Sequence, residues 1–166
     1  MLKILVPVNG SECALKAVDA AIRDALEHGH ASIQLLNVQP FMTRHVSRFV
    51  GAGACEAMRL DRARAAMAVA ARRVRSAGIP CSTHMARGHI AAAIAGFARR
   101  ESPDRIVIGA QPAAGLGWRG RLVDQLIKLT PVPVQSVSGG RRGWAERVGL
   151  PAGLAGGLAV VWLASE

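Results

Sequence analysis

The chain has no tyrosine, three tryptophans, three phenylalanines and three cysteines in 166 residues. Cys13, Cys55 and Cys81 are odd in number and form no CxxC pair. That spacing speaks against both a disulfide framework and a thiol-ligated zinc site, and it fits a reducing, cytoplasmic setting. Lysine is almost missing too: three Lys stand beside 18 Arg. The opening MLKILVPVNG lacks a basic segment followed by an apolar core and a cleavage site, so no secretory signal is expected. Disorder is excluded by a hydrophobic content of 51%. The length suits one domain of ordinary size.

The net charge is +10, and most of it sits in the middle of the chain. Residues 44–105 hold twelve Arg against four acids, whereas residues 1–43 sum to −1. A basic chain points first to nucleic acid. Between residues 56 and 105, however, Phe97 is the one aromatic among the arginines, so a base-stacking surface is poorly supplied. A solvated basic face is the expectation, and the arginine-rich helix over residues 56–77 is its centre.

Apolar patterning sets the order of elements. LKILVPV at residues 2–8 reads as a strand buried on both faces. Asn9-Gly10-Ser11 breaks it, with Ser11 placed to cap a helix that carries Leu15, Val18, Ile22 and Leu26 at steps of three and four. Gly29 stops that helix, and residues 32–38 form the second strand. A helix from about Cys55 to Ala77 shows the stripe Leu60, Ala63, Met67, Ala70, Ala71 and Val74. Residues 81–86 make a third strand, and Gly88-His89 opens a helix with Ile90, Ile94, Phe97 and Ala98 on one side. Residues 105–109 are a fourth strand, Leu122 to Leu129 a last helix, and residues 132–137 a last strand whose Pro133 argues for an edge. Alternation of this kind predicts an α/β fold, a five-stranded parallel sheet with helices on both faces. Ligands in such sheets lie beyond the carboxyl ends of strands where strand order reverses. The loops at Asn9-Gly10-Ser11, at Val38-Gln39-Pro40 and from Gly109 to Gly120 can reach that place.

Few residues offer catalysis. His28 and His30 form an HxH at a helix end near Asp24 and Glu27, but no further metal ligand is visible and both read as solvated. His89 reads as a surface residue at a helix start, and Asp124 as the i,i+4 partner of Lys128. Cys13, just after the first turn, reads as a small core residue, with a dipole-activated thiol as the alternative. No enzymatic turnover is expected.

Four fragments in order, KILVPVNGSE, LLNVQP, GHIAAAIAGFARRESPDRIVIGA and LTPVPVQSV, together resemble the universal stress protein family over about residues 2–138. The resemblance implies strand order 3-2-1-4-5, a stress-response binding or regulatory role, and a homodimer through residues 132–137. One branch of that family binds ATP, with Mg²⁺ when it is bound, through Gly-x2-Gly-x9-Gly-Ser/Thr after the fourth strand. By that resemblance, Pro7, Val8, Asn9, Gly10, Ser11 and Val38 would hold base and ribose. Gly109, Gly115, Gly120 and Arg121 would hold phosphates, because glycines let backbone N–H groups close on an anion. The chain departs from the pattern in three places: Asn9 stands where Asp is usual, Pro112 occupies the second glycine, and Arg121 replaces the Ser or Thr. The alternative is a dimeric interaction module without a ligand.

Residues 139–166 fall outside the resemblance as a basic linker and an apolar, Gly- and Ala-rich tail. Val148 to Ala164 is seventeen residues without charge, with Gly149, Gly153 and Gly157 at steps of four. At about 1.5 Å per residue it spans about 25 Å, the short limit for a bilayer. Packing on the domain or its partner, a mobile extension, and a tail anchor at the inner face of a membrane are the alternatives.

Overall fold

The computed structural model describes residues 1–40, 52–110 and 120–138. Five strands alternate with four helices: β1 Leu2–Pro7, α1 Glu12–His28, β2 Ala31–Gln39, α2 Ala52–Ser76, β3 Cys81–Arg87, α3 Ile90–Glu101, β4 Arg105–Ala110, α4 Gly120–Leu129 and β5 Val134–Ser138. All pairings are parallel, and the strands lie in the order β3-β2-β1-β4-β5. The expected fold class and strand order are therefore observed.

The sheet separates two cores, and period-two alternation assigns residues to each. Ile4, Val6 and Val8, with Ile33, Leu35 and Val107, face α1 and α2. Leu5, Leu36, Ile106 and Ile108 face Ile94, Phe97, Ala98 and Leu126 of α3 and α4. On α2 the predicted stripe is buried from Ala63 through Met67, Ala70 and Ala71 to Val74.

The buried face of α1 differs from the expectation. Leu26 is 58% exposed, and Leu15 and Ile22 are only partly buried. The face on the sheet is Ala14, Ala17, Val18, Ala21 and Ala25. Small residues let the helix lie close to the strands, and the larger apolar side chains flank the contact. At α1's ends the expectation holds: the Ser11 hydroxyl accepts from the Ala14 N–H at 3.3 Å, and Gly29 (φ +76°) caps the helix by donating to Ala25 at 3.2 Å.

At the other end of the sheet β5 is an edge strand, but Pro133 precedes it rather than lying within it. Its carbonyl accepts from Ile106 N–H at 2.8 Å, so the proline aligns the strand without taking a donor position in the ladder. Asp104 fastens the start of β4 to β1: its carboxylate accepts from Lys3 N–H at 2.7 Å, and its own N–H donates to the Lys3 carbonyl at 2.9 Å. Asp124 and Lys128 are both exposed and form no ion pair with each other among the described residues, which corrects the expected pair. Held apart in water, two such side chains gain too little from pairing to offset their rotamer entropy.

Candidate functional site at the carboxyl edge

The sheet opens where strand order reverses. β1 pairs with β2 along its whole length, Leu2 to Pro7, but with β4 only at Ile4 and Leu5. Beyond those residues β1 and β4 share no ladder, and the space between their carboxyl ends is the candidate crevice. Pro7, Val8 and the turn Asn9-Gly10-Ser11 form one wall, Val38 the neighbouring rim at the end of β2, and Gly109 the facing strand.

The turn is built by its own side chains. Asn9 Oδ1 accepts from the Ser11 N–H at 3.1 Å and from the Ser11 hydroxyl at 2.7 Å. Asn9 is thus engaged in holding the turn that starts α1. Gly10 has φ +82°, a left-handed conformation that disfavours any side chain, and Ala66 Cβ of α2 lies 3.1 Å from where a Gly10 Cβ would stand. The whole wall is then fixed to β2. Val8 N–H donates to the Leu36 carbonyl at 2.8 Å, and the Val8 carbonyl accepts from Asn37 Nδ2 at 2.7 Å. Asn37 is buried, and its Oδ1 accepts from Gln39 Nε2. The sequence does not single out Asn37, and it offers Gln39 only as part of the Val38-Gln39-Pro40 loop. A signal for Asn37 was available: it continues the inward register of Ile33 and Leu35, where a polar residue needs a partner.

Gly109 has a structural reason of its own. Its register puts the side-chain position toward α1, and a Cβ there would lie 1.9 Å from the Cys13 carbonyl oxygen and 2.7 Å from the Ala14 nitrogen. The glycine is what allows α1 to sit on β4. Gly120 and Arg121 begin α4. Gly115, with Pro112 and the rest of residues 111–119, lies outside the described residues, as do residues 139–166 with the 148–164 segment.

The remaining candidates disperse. His28 and His30 are exposed, and no group of three or more His, Cys, Asp and Glu is placed to hold a metal among the described residues. His89 is the N-cap of α3 without a side-chain capping bond. Cys13 is buried. Cys81 is half-buried at the start of β3, where burial pushes its thiol pKa up and the Arg75 charge offsets part of the rise. It therefore stays protonated at neutral pH, and iodoacetamide should alkylate it more slowly than a free thiol, as peptide mass mapping would show; faster reaction would contradict this environment. No helix among the described residues is long and apolar enough to cross a membrane. A groove of about 570 Å³ between α1 and α2, lined by Asp19, Ile22, Val69, Arg72 and Arg73, lies toward the other end of the helices.

A comparison with curated proteins gives no significant match. Solved structures share the fold. A universal stress protein from Burkholderia pseudomallei is similar at TM-score 0.67 and 20% identity, over 81% of this chain and 94% of that one. An Arabidopsis thaliana universal stress protein solved with AMP bound has TM-score 0.62 and 18% identity, over 83% and 92%. One from Archaeoglobus fulgidus in complex with dAMP has TM-score 0.61 and 18% identity, over 82% and 97%. The model of the universal stress protein family matches residues 1–137, and the chain belongs to that family.

Proposed function

We propose that this protein binds an adenine nucleotide in the carboxyl-edge crevice and acts in the stress response by binding rather than by turnover. The observation that carries the reading is the parting of the strands: β1 and β4 share no ladder after Leu5, and the wall from Val8 to Ser11 is tied to β2 through Asn37. In that wall the Val8 and Ser11 N–H groups are already engaged by Leu36 and Asn9, so the main chain of Asn9 and Gly10 is what it presents to a base and ribose. Relatives of the same fold support the ligand class, since two were solved with AMP and dAMP.

The proposed contacts are backbone at Pro7 to Ser11 and at Val38 for base and ribose, and the start of α4 at Gly120 and Arg121 for phosphates, with Gly115 in the intervening loop. The α1-facing side of Gly109 is filled by the Cys13 backbone, so a phosphate contact at Gly109 falls to its main chain alone. ATP, with Mg²⁺, is the finer form of the proposal. A homodimer through residues 132–137 fits the position of β5 at the sheet edge, and a cytoplasmic setting fits the cysteine set.

The test is to denature the purified full chain and resolve the released small molecules by anion-exchange chromatography. The reading expects an adenine nucleotide, or an empty protein that takes one up after incubation with ATP. Protein that releases none and retains none after incubation contradicts it.

A further inference from the structure

We infer that Arg62 of α2 is a phosphoryl-recognising residue of the crevice, an inference that rests on the nucleotide reading above. Two contacts fix how α2 lies against the β1–α1 segment. Ala66 Cβ stands 3.1 Å from the Gly10 side-chain position, and farther along Arg73 Nη1 donates to both carboxylate oxygens of Asp19, at 3.0 and 2.8 Å. From Ala66 to Arg73 along α2, and from Gly10 to Asp19 along the turn and α1, the chain advances in the same direction. The two helices therefore run side by side, both starting at the carboxyl edge. Arg62 lies four residues before Ala66, about 6 Å nearer the start of α2 and on the same face. Helical side chains tilt toward the N-terminus of their helix, which takes the guanidinium farther toward the crevice mouth.

Two arginines of α2 are ion-paired, Arg64 with Asp61 at 3.6 Å and Arg73 with Asp19 at 2.8 Å. Arg62 is exposed and makes no hydrogen bond or ion pair with any described residue. Glu12, the acid in the first turn of α1, forms no ion pair with it. Asn9, at the turn below, is neutral, and its side-chain oxygen is already occupied by Ser11. The phosphate joined to a ribose held at the Asn9-Gly10 turn thus meets an unneutralised guanidinium and no carboxylate at Asn9, while the outer phosphates extend toward α4. A planar, five-donor guanidinium suits a phosphoryl group, which it binds through two parallel hydrogen bonds. The sequence carried no sign of this, because the juxtaposition comes from α2 crossing over Gly10.

Calorimetric titration of the full chain with ATP and with adenosine tests it, using wild type, Arg62→Ala and Arg62→Lys. Arg62→Ala should weaken ATP about tenfold, as expected for loss of one charge-assisted contact. It should leave adenosine affinity and the melting temperature unchanged, and Arg62→Lys should recover part of the ATP affinity. Equal ATP affinity in wild type and Arg62→Ala, or an equal loss for adenosine, overturns the inference while leaving the nucleotide reading intact. Wild type that binds neither ligand overturns both.

Discussion

Gly109→Ala is expected to destabilise the domain by about 3 kcal/mol or more, at the top of the range for overpacking a core. The added Cβ would stand 1.9 Å from the Cys13 carbonyl oxygen and 2.2 Å from its carbonyl carbon. Those are main-chain atoms in the first turn of a capped helix, so no rotamer change makes room. Relief requires α1 to lift from β4, which opens the packing of Ala14, Ala17 and Val107 in the core beneath. For a domain of this size the melting temperature should fall by roughly 10 °C. Gly29→Ala is the comparison: unlike Gly109 it has a positive φ, +76°, but nothing lies within 4 Å of its Cβ position, so it should cost only about 1 kcal/mol of backbone strain. Circular dichroism melts of both variants decide the matter. A Gly109→Ala protein as stable as wild type would mean that α1 does not sit against β4 as described.

Asn37→Leu should cost about 2 kcal/mol and weaken nucleotide binding together. The substitution keeps the volume of a buried position but removes the amide that donates to the Val8 carbonyl at 2.7 Å. The Val8 carbonyl and Gln39 Nε2 each lose a partner, and a buried polar group left unpaired costs about 1–3 kcal/mol. Because Val8 begins the crevice wall, its released carbonyl lets the Asn9-Gly10-Ser11 turn drift, and a ligand that reads backbone positions loses affinity. Ile94→Ala separates the two effects. Ile94 of α3 is fully buried in the opposite core and has no bond to the wall, so its loss should lower stability by about 2–5 kcal/mol without moving the wall. Denaturant melts paired with nucleotide titration below the transition check this; undiminished binding by Asn37→Leu would remove Asn37 from the site.

The order of elements was legible because each boundary has a local cause. Ser11 caps, Gly29 stops, and the Ala63 to Val74 stripe keeps one helical period, so no tertiary knowledge was needed to place α1 or α2. The buried face of α1 was not legible. Hydrophobicity favoured Leu15, Ile22 and Leu26, but the close approach at Gly109 selects the alanine face instead, and that approach is a contact between residues almost a hundred positions apart. The site divides in the same way. The turn Asn9-Gly10-Ser11 was readable from its residue types. Asn37 required knowing which register of β2 faces inward, and Arg62 required knowing that α2 passes over the Gly10 turn. Gly109 stood out as a motif glycine, yet its described contacts are with the backbone of a helix.

The central claim is that the carboxyl-edge crevice holds an adenine nucleotide, and calorimetric titration of the full chain with ATP, in the presence and absence of Mg²⁺, tests it most directly. The account predicts saturable binding at one site per chain with a Kd of roughly micromolar order, and a melting temperature that rises with nucleotide concentration. No saturable heat and no shift in melting temperature at millimolar ATP would contradict it.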